Sequence, residues 1–353
     1  MQRRTWIVVG QTALGLSFLA AWLWVVDLGA VVDTIRKARW VLVLLAVGVG
    51  TASSLLRAQR WRIILTPIAA ISLLDIWLIS QASSLISFLI PLRTGELART
   101  LFLKQRHKIP ISASLPTVAV DRSLDLLAVL VIGAVGALSG LRVAGVMSTA
   151  LALGAALFAA FAGFVVLAIF SQARILTLAN RFLPRSLGDP LRHRLLGILQ
   201  GLLEGFTAIG RTPRALIFLI GLSFVANLID AAVLLILFLA LGTVVSPLVV
   251  MTGYALFAIT FLIPSAPGYV GSMEAFGSLI FGALGAGQIA AASTIVIYHG
   301  LNTVLLGLGG GLAIWGLGLR PTSALRSVLA EADRVPSLVG EPEARPADGH
   351  TTI

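Results

Sequence analysis

A broken motif, present twice within long apolar sequence, limits this chain more than any other feature. Phe88-Leu89-Ile90-Pro91-Leu92-Arg93-Thr94-Gly95 runs on into Glu96 and Arg99, and Phe261-Leu262-Ile263-Pro264-Ser265-Ala266-Pro267-Gly268 repeats its Phe-Leu-Ile-Pro-x-x-x-Gly frame. Proline has no N–H and ends a helix, and glycine permits the turn that follows. Within a bilayer, non-helical backbone survives only inside protein or beside a water-filled cavity. Each motif therefore reads as a break in a membrane helix.

Composition agrees. The 353 residues are 58% hydrophobic and 12% charged, with mean hydropathy +0.99. That charged share is about half the roughly 25% of a soluble domain. The expected fold class is all-α: a polytopic helical membrane protein with two inverted repeats, each containing a broken re-entrant hairpin. The net charge of +11 does not point to nucleic acid, because the charges cluster in loops beside apolar spans. With no cysteine there is no disulfide framework and no thiolate metal site. His107, His193, His299 and His350 show no ligand spacing. No cofactor or metal is expected.

An apolar helix needs about 20 residues to span a bilayer. Residues 5–26 qualify, and are too long for a signal-peptide core of about 7–15 residues, so they read as an uncleaved span. Residues 27–39 read as a polar connector and 40–60 as the second span. Residues 74–90 run into the first break. Residues 111–138, 146–170, 214–241 and 289–315 read as further spans. Residues 248–263 lead into the second break, and 272–284 return from it. The integral domain is expected over residues 1–320, with repeats at about 40–138 and 214–317. A basic linker (171–213) would carry an amphipathic helix at 191–209, and 321–353 form a polar, disordered tail.

Cytoplasmic loops are enriched in lysine and arginine. With the N-terminus inside and both breaks entering and leaving on one side, only Arg36, Lys37, Arg39 and Arg142 fall outside. A full crossing at the first break would instead expose Lys104, Arg106 and Lys108 outside. The balance favours hairpins and both termini in the cytoplasm. It also makes corresponding spans run in opposite directions, and Asp121-Arg122-Ser123-Leu124-Asp125 then aligns with Tyr298-His299-Gly300-Leu301-Asn302. Many secondary transporters have inverted repeats and bind substrate near mid-membrane at broken helices.

These residues resemble the transmembrane domain of the lysylphosphatidylglycerol synthase/flippase family, over about residues 40–317. The resemblance rests on Arg57-x-x-Arg60-Trp61, Pro91-x-Arg93-x-Gly95-Glu96-x-x-Arg99, Asp121-Arg122 and Pro264-x-x-Pro267-Gly268-x-x-Gly271-x-x-Glu274. It implies movement of a lipid, often aminoacylated or glycosylated, across the inner membrane. His299 stands where an arginine is expected after Tyr298, and Tyr269 where a second glycine often follows Pro-Gly. Both bear on headgroup preference. With no soluble transfer domain in the sequence, lipid synthesis is not implied.

Candidate substrate-binding residues follow. Arg93, Glu96 and Arg99, spaced by three, share one face of a short helix. The arginines suit a phosphate and Glu96 a cationic head or a proton, or the three form a self-satisfied ion network. Asp121, Arg122 and Asp125 either neutralise one another, pair with the hairpin, or bind substrate. Asn227 and Asp230 lie one turn apart and are expected to face inward. Glu274 either binds substrate or complements the dipole of the helix it opens. Tyr269, Tyr298 and His299 complete the set. Arg57, Arg60 and Arg62 are expected to snorkel to anionic lipid headgroups. Trp22, Trp24, Trp40, Trp61 and Trp315 fit interfacial belts. Gly307-Leu308-Gly309-Gly310-Gly311 reads as close helix packing.

No Walker-type loop, metal set or activated nucleophile is legible, so the chain is expected to be a non-enzymatic lipid flippase or transporter. Its expected partners are a membrane lipid with an anionic or zwitterionic head, a separate lipid synthase and a second copy of the chain. Two alternatives stand beside this. One is a membrane-embedded enzyme using Glu96, Asp121 and Glu274. The other is a non-catalytic partner of a lipid synthase.

Overall fold

The computed structural model describes residues 2–90, 95–139, 171–183, 213–261, 263 and 265–318, with isolated positions between 149 and 203. Every regular element among them is helical. In chain order these are α1 (Gln2–Val25), α2 (Leu28–Arg36), α3 (Trp40–Leu65), α4 (Leu73–Leu89), α5 (Gly95–His107), α6 (Ile111–Leu138), α7 (Gln172–Phe182), α8 (Pro213–Ala240), α9 (Pro247–Thr260), α10 (Ser272–Phe281) and α11 (Gln288–Gly316). The expected span at 146–170, the amphipathic segment at 191–209 and the tail from 321 lie outside the described residues. α3, α8 and α11 are long and apolar enough to cross a membrane, and α1 with α2 passes the same test as a pair bent by 84°. α4 and α9 are apolar but short. α6 has 28 residues, Pro116 and the three charges of the 121–125 segment.

Residues 27–39, expected as a connector, instead form α2. Asp27 caps it by accepting from the Ala30 N–H at 3.1 Å, and Val31 is buried beneath it. The charges that made the segment look loop-like lie on its exposed side: Asp33 and Arg36 are 4.0 Å apart and largely exposed. Ser72 caps α4 in the same way, from the Asp75 N–H at 3.1 Å. Such a cap satisfies one of the four donors that a helix leaves unpaired at its start.

α3 lies antiparallel along α8. The Arg39 N–H donates to the Ala240 carbonyl at 2.8 Å, Gly50 faces Val233, and Arg60 reaches Ser223 at 2.8 Å. α4 packs on α11, and α6 on α9. At the first joint a Cβ on Gly310 would lie 2.5 Å from the Leu85 Cβ. Gly136 meets Thr252 and Gly133 meets Ala255 at the second. Of the glycine cluster at 307–311, Gly310 makes the close approach, whereas Gly307 and Gly311 face open space. α5 returns beside α4, so that Asp75 at the start of α4 lies 3.7 Å from Arg106 and 3.6 Å from His107 at the end of α5. α10 returns beside α9. α1 covers α10 through Trp22, whose Nε1–H donates to Ser278 at 2.9 Å, and through Phe18 edge-on to Phe276 at 5.1 Å.

Among the described residues, two apolar cores are the largest. One gathers Trp61, Ile76, Ile79, Phe102 and Leu103, and the other Phe238, Tyr254, Phe257, Phe281 and Ile295. Leu44, Ile217, Leu308, Leu312 and Trp315 stay exposed on the long helices, as lipid-facing side chains do. Trp22 and Trp61 are not belt residues. Trp22 is buried against Ser278, and Trp61 is fully buried and donates to Thr117 at 3.2 Å.

Candidate functional site

Three arginines and three aspartates meet between α3, α5, α6 and α8. Arg60, buried, gives Nε–H to Asp121 at 2.8 Å, Nη1–H to Asp125 at 2.6 Å and Ser223 at 2.8 Å, and Nη2–H to Asp125 at 2.9 Å. Arg57, one turn earlier, bridges Asp125 on α6 and Asp230 on α8, the latter at 2.5 Å. Arg99 of α5 donates to the second oxygen of Asp121 at 3.0 Å and stacks over Trp61 at 5.0 Å. Tyr254 gives its O–H to Asn227 at 2.8 Å and Asp230 at 3.2 Å. Buried charges are tolerated only when paired and hydrogen-bonded, and here each guanidinium has at least one carboxylate.

This geometry corrects the expectation for Arg57 and Arg60, whose heads point into the bundle. Helical periodicity explains the difference from Arg62: residues three apart share a face, so 57 and 60 point together toward α6 and α8. Arg62 lies off that face, exposed, with its guanidinium donating to Gln59 at 3.3 Å. Asp121 and Arg122 do not pair with each other. Asp121 pairs with α3 and α5, and Arg122 approaches Glu96 at 3.5 Å, both side chains being well exposed (46% and 37%).

A second polar cluster closes the break between α9 and α10. Glu274 accepts from the Gly271 N–H at 2.8 Å and pairs with Nδ1 of His299. His299 Nε2 faces the Gly268 carbonyl at 2.8 Å. A carbonyl can only accept, so Nε2 carries a proton, and a second proton lies between Nδ1 and Glu274. Gly268 and Gly271 take φ of +71° and +83°, which glycine adopts without strain. Tyr269 takes φ +58° without that freedom. Its ring packs on Phe261 at 5.2 Å and Phe88 at 6.2 Å, so the two Phe-Leu-Ile-Pro segments meet around it. Arg93 lies outside the described residues. Tyr298 is hydrogen-bonded to Asn302.

Two cavities border these clusters. One, about 190 Å³, is lined by Ser83, Ser84, Ser87, Arg99, Arg122 and Tyr269. Hydroxyls thus stand beside two guanidiniums, side-chain types that can hydrogen-bond an anion. The other, about 280 Å³, lies between α3, α4, α8 and α11, with Asp230 and Tyr298 on its wall. Leu306 lines both. The serines and Gln81 were missed in the sequence, although Ser80, Ser83, Ser84 and Ser87 at i, i+3, i+4 and i+7 mark one polar face on an apolar helix.

A family model described as the lysylphosphatidylglycerol synthase TM region matches residues 8–310. Glycosyltransferase AglD of Haloferax volcanii is 27% identical over 367 aligned residues, which cover 94% of this chain and 58% of that protein. The chain thus spans less than two thirds of that relative's length. No solved structure matches.

Proposed function

Because this chain belongs to the family of the lysylphosphatidylglycerol synthase transmembrane region, and is a multi-pass membrane protein, we propose that it moves a phosphate-bearing lipid between leaflets of a bacterial or archaeal inner membrane. In this reading its halves are inverted repeats, its breaks are re-entrant hairpins and both termini face the cytoplasm. The carrying observation is that contacts of one half recur in the other. α4 packs on α11 as α9 packs on α6, and α5 sits against α4 and α6 as α10 sits against α9 and α11. α3 meets α4 and α6 as α8 meets α9 and α11. The interval from Gly133 to Gly310, one at each joint, equals that from Arg122 to His299. At equivalent places Glu96 faces Arg122, and Glu274 faces His299.

The lipid phosphate sits in the arginine–serine cavity, held by Arg99 and Arg122. Asp121 and Asp125 orient the arginines, and Tyr269, Glu274 and His299 hold the opposite hairpin against the site. Arg122 is the informative residue to change because it is half exposed. Its loss should leave the fold intact while removing a charge-assisted contact of about 1.5–3 kcal/mol. In liposomes carrying fluorescent phosphatidic acid, Arg122→Gln should slow leaflet exchange about 10- to 100-fold at unchanged thermal stability. Exchange at the wild-type rate would defeat this assignment. The name of the haloarchaeal relative favours a second reading, a membrane-embedded enzyme acting on the head group. A new head-group mass in lipid spectra from the same liposomes would select it.

A further inference from the structure

The larger cavity states which head group the carrier would accept. Its one carboxylate is Asp230, and that charge is already taken. Arg57 donates to it at 2.5 Å and Tyr254 at 3.2 Å, both on Oδ2, which leaves Oδ1 as an acceptor. Behind it, Arg57, Arg60 and Arg99 balance Asp121, Asp125 and Asp230. An ammonium entering here would find no unpaired carboxylate, and an uncompensated charge is costly in such surroundings.

The remaining polar wall is uncharged. Gln81 of α4 and Asn302 of α11 supply amides from facing helices. On α3, Thr51 spends its hydroxyl proton on the Val47 carbonyl at 2.9 Å and Ser54 on the Thr51 carbonyl at 2.8 Å. Their oxygens are therefore left as acceptors, and Ser54 also receives the Trp77 indole N–H at 2.9 Å. Trp77 brings a flat apolar ring to the same wall. Amide donors, hydroxyl acceptors and an aromatic face together suit a ring that carries hydroxyls on its edge and C–H groups on its faces. The volume, about 280 Å³, lies near the lower bound of about 300 Å³ for small-ligand sites. Leu306 lines both this cavity and the arginine–serine cavity, so the two adjoin there, and in the reading proposed here a phosphate in one places its substituent in the other.

We propose that the lipid carries an uncharged polyhydroxyl head, a sugar or cyclitol, on its phosphate, seated between Gln81, Trp77 and Asn302, and that an aminoacyl head is disfavoured. This rests on the phosphate reading above. Three probes share the phosphate and differ beyond it: phosphatidylinositol, lysylphosphatidylglycerol and phosphatidic acid. Binding to the detergent-purified full chain should be at least tenfold tighter for phosphatidylinositol than for phosphatidic acid. Lysylphosphatidylglycerol should bind no tighter than phosphatidic acid. Gln81→Leu and Asn302→Leu should erase the tenfold preference while keeping phosphatidic acid binding within twofold, which also verifies their fold. Equal binding of the first and third probes, or tighter binding of the lysyl lipid, would overturn the proposal. Liposome exchange of phosphatidylinositol is a separate arm. A rate equal to that of protein-free vesicles would defeat the carrier reading and leave the binding preference as measured.

Discussion

Arg60 is where the charge balance is most exposed to a single substitution. It serves two carboxylates and a serine with 1% of its side chain accessible. Breaking a buried pair from one side strands the other charge and costs about 3–5 kcal/mol. Arg60→Ala should therefore lower the thermal midpoint of the purified protein by many degrees, while Arg62→Ala leaves it nearly unchanged. Equal midpoints would mean that Arg99 and Arg57 alone suffice to hold Asp121 and Asp125. The sequence showed three arginines within six residues and could not separate them, because the deciding partners lie on α6 and α8. Tyr269 is the opposite case. Its place after Pro-Gly singled it out, and φ +58° gives the physical reason a glycine would fit there: the left-handed region costs an L-residue roughly 1–2 kcal/mol, which ring packing against Phe88 and Phe261 offsets.

Among the elements, the helix breaks were the most legible feature, since proline and glycine act locally. α4 ends at Leu89, α9 at Thr260, and α10 begins at Ser272, each within a few residues of the expected limits. α2 was illegible because its polar residues describe an exposed face, and the buried Val31 is one residue among nine. The polar stripe of α4 was legible in spacing but weak in hydropathy, which averages over both faces. The segment between α9 and α10 is held from α11 by His299 alone among the bonds to Gly268 and Glu274 described above. His299→Ala should release it. A cysteine at Ala266, which is 7% exposed, should then react with maleimide at least tenfold faster than the same cysteine beside His299. An unchanged rate would mean that α1, which touches Ala266 through Gly15, secures the segment without help.

For the molecule as a whole, sidedness decides the architecture. The chain lacks cysteine, so each introduced one reports alone. Thr66 and Lys108 flank the α4–α5 hairpin, Val244 and Gly285 flank the second, and all four are exposed. Cysteines at the first two should react with a membrane-impermeant reagent from one face, and those at the last two from the other. Opposite faces for Thr66 and Lys108 would turn the first break into a full crossing. The all-helical membrane class and the helix breaks were readable from composition and motif spacing, but the polar cavities need side chains brought together from four helices. One asymmetry separates the two carboxylate contacts compared above. Glu96 and Arg122 are 3.5 Å apart and open to solvent, whereas Glu274 and His299 are closed and about 10% exposed. A carrier with identical clasps would rest equally on either side. In the carrier proposed above, clasps of unlike chemistry would lift that degeneracy, so one orientation would wait empty more often than the other. Without an energy source this bias would leave the final distribution of lipid unchanged, but it would set the leaflet that the empty carrier faces most of the time.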